Sequence, residues 1–190
     1  DAHEWGIGYS APRIDLNRLR AWKNEVIEKN TNGLGELVKR RKINHIRGWA
    51  TFKDSNTLTI RLVEGGEQEL AFEHAVLATG SSPTVIPSFD IGNDRIMDST
   101  GALELADIPK RMLVIGGGYI GLEMATAYSA LGTKITVVEM LKGLLPGADK
   151  DLVRHVEKRA KTIFDDVLLE TTVAGVEESG NKIRVSFKAK

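Results

Sequence analysis

Hydrophobic positions change their period along this chain, and each change predicts a different element. In "APRIDLNRLRAWKNEVIEKN", Leu16, Leu19, Trp22, Val26 and Ile27 fall on one helical stripe. Pro12 closes the preceding turn, and Asp15 stands where a carboxylate accepts the free N–H groups of a first helical turn. The polar, glycine-bearing stretch Asn30–Gly33 weakens this helix. A second amphipathic piece is expected over Leu34–Lys42, ending in the basic run "KRRK". Shorter runs with strand character follow: "INHIRGWATF", "TLTIRLV" and "QELAFEHAVLAT". The turn "EGGE", Glu64–Glu67, joins the last two as a hairpin. "ATGSSP" sits at a strand end. Residues 85–111, with Pro87, Gly92 and Pro109 and with Pro83 just ahead, read as a linker.

Beyond the linker the pattern changes again. "MLVIG" is continuously apolar, as expected of a strand buried on both faces. A helix is predicted from Tyr119 to Leu131, stopped by Gly132 as a C-terminal cap, and "KITVVE" follows as a second, parallel strand. A further helix is predicted over Asp149–Phe164, with Leu152, Val156 and Ile163 pointing inward. The chain then returns to strands, "VLLETTVAGVEE" and "IRVSF", around the turn "SGNK". This order predicts an α/β protein whose second part is a β–α–β unit followed by a β-meander.

Composition narrows the function. Of 190 residues 42% are hydrophobic, enough for a core, and 26 basic residues balance 26 acidic ones. No basic excess points to nucleic acid or to an anionic membrane surface, so "KRRK" reads as a solvated helix end favoured by the dipole. No apolar run approaches the roughly 20 residues of a bilayer span, and no basic start with an apolar stretch opens the chain. A soluble, cytoplasmic protein is expected. Cysteine is absent, which removes disulfides, thiolate metal sites and thiol catalysis from these residues. The chain opens at Asp1 without Met, so a fragment is expected.

The chemistry lies in "VIGGGYIGLEMATAYSALGTKITVVE", residues 114–139. Gly116, Gly118 and Gly121 form G-x-G-x-x-G, and each glycine has its own task. Gly116 permits the tight turn off the strand. Gly118 clears space for a pyrophosphate at the backbone. Gly121 lets helix and strand pack closely. The helix start then offers free N–H groups and a positive dipole end to phosphates. Glu139, about 20 residues further on at the end of the next strand, can accept hydrogen bonds from an adenosine ribose. The carboxylate repels a 2′-phosphate and Met140 offers no cation, so NAD is expected over NADP. Glu123 either serves the helix dipole or faces the nicotinamide end of the cofactor.

That stretch, with "ATGSSP", "DSTGALEL", "PRIDLNRLRAWKNEVI" and "GLLPGADKDLV", resembles the dihydrolipoamide dehydrogenase family, class I flavin-dependent pyridine nucleotide–disulfide oxidoreductases. The resemblance covers essentially the whole chain with the motifs in order. It implies a Rossmann-like FAD/NAD(P)-binding fold with a three-layer ββα organisation and β-meanders. In this family one nucleotide fold binds FAD and a second, inserted in it, binds NAD, which explains a glycine turn so far along the chain. It implies a central fragment: residues 1–106 as the rear part of an incomplete FAD-binding domain, and residues 107–190 as a nearly complete NAD-binding domain.

The resemblance assigns NAD to Gly116, Gly117, Gly118, Tyr119, Ile120, Gly121, Leu122 and Glu123, with Glu139 on the ribose and Val173 beside the adenine. It assigns FAD to Thr79, Gly80 and Ser81, and to Ala50 where the family usually has glycine in "Gly48-Trp49-Ala50". It implies a parent that oxidises dihydrolipoamide with NAD as acceptor, as a homodimer within 2-oxo acid dehydrogenase complexes. No catalytic residue and no metal site is expected here: the redox cysteines are absent, and His3, His45, His74 and His155 match no catalytic or metal-binding pattern. Asp165 and Asp166 read as a loop pair. The alternatives are a non-catalytic nucleotide-binding module and a related flavoprotein disulfide or mercuric reductase.

Overall fold

The computed structural model describes residues 2–8, 10 and 12–189; Asp1, Tyr9, Ala11, Lys190 and the side chains of Ala2 and His3 lie outside it. The chain divides into two compact units, residues 21–82 and residues 1–20 with 83–190.

A single helix, α1 (Leu16–Arg40), runs through the stretch expected to interrupt it. No proline falls there, so Gly33 and Gly35 cost about 1 kcal/mol each without removing a backbone donor. The Thr31 hydroxyl donates back to the Ile27 and Glu28 carbonyls. Glu25–Lys29 and Glu36–Lys39 pairs at 3.0 Å support the flanking turns. Asp15 caps the start as expected, its carboxylate accepting from Arg18 N–H at 3.1 Å. The predicted apolar stripe is not a buried one: no residue of α1 is buried, and Trp22 is 62% exposed.

In the smaller unit, β1 (Gly48–Phe52), β2 (Thr57–Leu62) and β3 (Glu67–Ala71) form an antiparallel meander in that order. The hairpin at Glu64–Glu67 is present, with Gly65 and Gly66 both at positive φ and Leu62 N–H donating to the Gly66 carbonyl. Ile60 is the buried centre of this sheet. The third run is shorter than its pattern, ending as a strand at Ala71, and Val76 and Leu77 stay exposed.

The larger unit is built on a parallel sheet, β4 (Arg111–Ile115), β5 (Lys134–Val138) and β6 (Asp166–Leu168), in the order β4-β5-β6. Helix α3 (Tyr119–Ala130) crosses from β4 to β5 and α4 (Lys150–Ile163) from β5 to β6. Gly132, at φ +101°, ends the α3 turn as expected. Ile135 and Val137 share one face of β5 and pack with Leu122, Ala125 and Tyr128 of α3 and with Val153 and Ala160 of α4. The Ser129 hydroxyl, donating to the Ile163 carbonyl at 2.8 Å, ties the two helices together. On α4 the inward set is Val153, Ala160 and the following Phe164, with Ile163 packed against them as expected, whereas Leu152 is 64% exposed and Val156 is also exposed. The core-facing side of the helix thus carries Val153 and Ala160 in place of the expected Leu152 and Val156.

Two expectations about connections change. The stretch read as a linker contains α2 (Ser99–Leu103), capped by the Asp98 carboxylate on Gly101 N–H at 2.9 Å. Its Ala102 is buried against α3, and the Tyr128 hydroxyl donates to the Ala102 carbonyl at 2.8 Å. The run "VLLETTVAGVEE" is two strands in two sheets. It breaks at Glu170, which takes φ +48°, so that β6 completes the parallel sheet while β7 (Thr171–Ser179) pairs with β8 (Lys182–Ala189) around the predicted turn. The fold is α/β and Rossmann-like, with one antiparallel β-meander, β1-β2-β3, and an antiparallel hairpin, β7-β8, where a second meander was expected.

Candidate dinucleotide site

The glycine turn sits where β4 ends and α3 begins, at the C-terminal edge of the parallel sheet. Gly116 N–H donates to the Val138 carbonyl at 2.8 Å, extending the β4–β5 ladder one residue into the turn. Gly116 then takes φ +104°, a conformation open to glycine. A Cβ on Gly121 would lie 2.5 Å from the Gly116 carbonyl oxygen and 3.1 Å from a Val114 methyl, so this glycine sets the close approach of α3 to β4. A Cβ on Gly118 would meet open space. Gly118 is also the N-cap of α3 and supplies no side-chain cap, and the first helical bond is from Leu122 N–H to the Gly118 carbonyl. The N–H groups of the first turn therefore face an uncluttered surface, as anion binding requires.

Gly117, to which the fingerprint gives no task, is the most tightly held residue of the turn. Its N–H donates to Glu139 Oε2 at 2.7 Å and its carbonyl accepts from Leu145 N–H at 2.8 Å. A Cβ there would be 2.5 Å from Leu144 Cδ2 and 3.3 Å from Glu139 Oε2. Leu144 is 3% exposed and belongs to the core. Glu139 itself is 6% exposed, and its other carboxylate oxygen accepts from Leu141 N–H at 2.8 Å. The backbone around it is equally engaged: Glu139 N–H reaches the Leu168 carbonyl, Thr171 N–H reaches the Glu139 carbonyl, and Glu170 N–H reaches the Leu141 carbonyl. The strained Glu170 corner between β6 and β7 thus braces the residues beneath the turn.

Sequence reasoning found Glu139 but missed its partners, and it missed Leu144 and Leu145. The middle glycine of "GGG", Gly117, was the available signal, because the spacing asks for none there.

The other expected positions fall as follows. Tyr119 and Ile120 open α3 with exposed side chains, Leu122 points into the core, and Glu123 is exposed on the second turn of the helix. Val173 lies half-buried on β7, two residues past the Thr171 contact, where the β7–β8 register shifts. Beside Glu139, Met140 and Leu141 are exposed and apolar, and the first cation is Lys142, also exposed. In the smaller unit, Ala50 is on β1 opposite Ile60, and Thr79, Gly80 and Ser81 are exposed outside any helix or strand. Among the described residues no hydrogen bond joins Ala50 to Thr79, Gly80 or Ser81. Gly48 has a reason of its own, since a Cβ would be 2.6 Å from the Arg61 carbonyl across the sheet. Asp166 opens β6 and accepts from Val167 N–H, while Asp165 faces Lys134 at 3.9 Å; the two carboxylates are engaged locally. No cluster of histidine and acidic residues among the described residues has the makings of a metal site.

The sequence pattern of pyridine nucleotide-disulphide oxidoreductases matches residues 4–190. The chain belongs to that family. Curated relatives include dihydrolipoyl dehydrogenases of Haemophilus influenzae, 44% identical over 189 residues, and of Vibrio cholerae, 43% identical over 187 residues. These alignments cover 100% and 98% of this chain, and the chain spans 39% of the length of each relative. Among solved structures, the HOCl-induced flavoprotein disulfide reductase RclA from Escherichia coli superposes with a TM-score of 0.78 at 28% identity, over 91% of this chain and 39% of that one. LpdA from Mycobacterium tuberculosis gives 0.80 at 21% identity over 98% of this chain and 41% of that one, a likeness of fold. No helix among the described residues is long and apolar enough to cross a membrane.

Proposed function

We propose that this chain is the NAD-binding portion of a flavin-dependent dihydrolipoyl dehydrogenase, the parent reaction being dihydrolipoamide plus NAD⁺ to lipoamide plus NADH. Residues 107–190 are the NAD-binding domain and residues 1–106 the rear of the FAD-binding domain. The observation that carries the reading is the open backbone at Gly118 and the uncapped start of α3, backed by an acidic residue at the end of β5. The residues present fit a dinucleotide. The N–H groups of Gly118–Gly121 and the dipole of α3 receive the pyrophosphate, and Glu139 offers its remaining lone pairs to the ribose hydroxyls. Val173 borders the adenine and Glu123 the nicotinamide end.

A bound nicotinamide supplies the hydride acceptor; the chain's own part is to hold it in register and to disfavour a 2′-phosphate. The chain has no cysteine, so the dithiol chemistry needs residues beyond these 190. Ala50, Thr79, Gly80 and Ser81 are offered as the flavin-side contribution. Homodimerisation, assembly with 2-oxo acid dehydrogenases and a cytoplasmic location belong to the same proposal. A disulfide reductase for another substrate is the second reading, favoured by the likeness to RclA. The higher identity to dihydrolipoyl dehydrogenases weighs for the first.

Calorimetric titration of the full chain with NAD and NADP tests the site. Saturable binding with NAD tighter than NADP is expected. Equal affinity, or heat from neither coenzyme, refutes it. In the whole protein, NADH formation driven by dihydrolipoamide separates the first reading from the second.

A further inference from the structure

A phosphate-binding turn has a structural problem. The amides that will receive the ligand must stay unpaired, so the turn cannot be held by its own hydrogen bonds. Here the holding is concentrated on Gly117, the one position of "GGG" outside the fingerprint. Three contacts fix it: its N–H on Glu139 Oε2 at 2.7 Å, its carbonyl on Leu145 N–H at 2.8 Å, and Leu144 filling the space of a side chain. Glu139 is the hub, because its second oxygen holds Leu141 N–H at 2.8 Å and so fixes the start of the loop that carries Leu144 and Leu145. Both distances are in the range of charge-assisted bonds, and the residue is buried.

We propose that Glu139 is a positioning residue for the glycine turn: its carboxylate latches Gly117 to the 141–145 loop, and this latch keeps the neighbouring amides aimed at a pyrophosphate. The proposal deepens the NAD site described above and rests on it for its ligand readout, but not for its ligand-free one. A latch accepts two N–H groups at once, which a carboxylate does and a carboxamide does not. In Glu139→Gln the side-chain NH₂ opposes one of the two backbone donors, while the carboxamide keeps the capacity to hydrogen-bond a ribose hydroxyl. Latch and ribose roles therefore separate in this variant.

The test has two arms, both on the full chain. Without ligand, amide exchange followed by NMR should find Gly117 and Leu141 protected in the wild type, although neither lies in a helix or strand, and Gly118 fast. In Glu139→Gln, Gly117 or Leu141 should exchange roughly 10- to 100-fold faster, the factor expected for a lost bond to a charged group. Leu113 and Val137, inside β4 and β5, should be unchanged. Wild-type Gly117 exchanging as fast as Gly118 overturns the latch, and needs no variant to fold; so does unchanged exchange in a folded Glu139→Gln. With ligand, Glu139→Gln should weaken NAD at least about tenfold, and NADP by less, because losing the charge also relieves repulsion of the 2′-phosphate. Unchanged NAD affinity in a folded Glu139→Gln would overturn the latch. If the wild type binds neither coenzyme, the NAD reading fails while the exchange arm still decides the latch.

Discussion

Replacing Gly121 by alanine isolates the contact that brings α3 onto β4. In an exposed helix the change would stabilise by about 1 kcal/mol through helix propensity. Here the new Cβ would lie 2.5 Å from the Gly116 carbonyl oxygen and 3.1 Å from Val114 Cγ1. The nearer atom is backbone and cannot rotate away, so relief requires the helix to lift by nearly 1 Å to reach ordinary van der Waals separation. Overpacking of this kind costs about 1–3 kcal/mol, and a backbone obstacle puts it at the upper end. The net expectation is a loss of about 2 kcal/mol, lowering Tm by roughly 6–10 °C for a unit of this size. Thermal unfolding followed by far-UV circular dichroism measures it. Gly118→Ala is the control: its Cβ meets open space and its φ is −75°, so only the N-cap preference is lost, about 1 kcal/mol or less. That variant should keep most of its stability yet lose NAD affinity, because the methyl occupies the pyrophosphate's approach. A Gly121→Ala chain that melts at or above the wild type, or a Gly118→Ala chain less stable than the Gly121→Ala chain, would refute the assignment of the two glycines.

Two further outcomes follow from the α2–α3 contact. Asp98→Ala removes the cap on Gly101 N–H and should cost about 1 kcal/mol by urea denaturation, with NAD affinity unchanged. Tyr128 is 1% exposed, and burial, followed by the charge of Asp107, holds its hydroxyl above the usual tyrosine range. The native state keeps this proton at a pH where the unfolded chain has released it, so the stability it lends is complete below about pH 10 and falls as pH rises beyond. Tyr128→Phe should flatten that alkaline limb of a stability–pH curve, and should cost about 1 kcal/mol at neutral pH by removing one of the hydrogen bonds to the Ala102 carbonyl, which still accepts from Leu105 N–H. An unchanged alkaline limb would remove Tyr128 from the account.

The residues alone determined the β4–α3–β5 unit, its glycine turn and the two hairpins, because these are local. A continuous apolar run, a positive-φ glycine and a two-residue turn each state their conformation within a few positions. The sequence likewise named Glu139 and led to the right family. Elements that depend on distant partners were not legible. Whether α1 breaks at Asn30–Gly33 depends on local penalties against cooperative propagation, and the helix continued. The inward face of α4 was chosen by the fit of Val153 and Ala160 against the sheet, not by the largest apolar residues. "VLLETTVAGVEE" looks like one strand because its alternation hides the Glu170 corner, which becomes visible when the two halves find different neighbours. The same holds at the site. Spacing presents Glu139 as a ligand group, and tertiary structure turned its carboxylate onto two backbone amides, since a buried charge must first be satisfied by the donors around it.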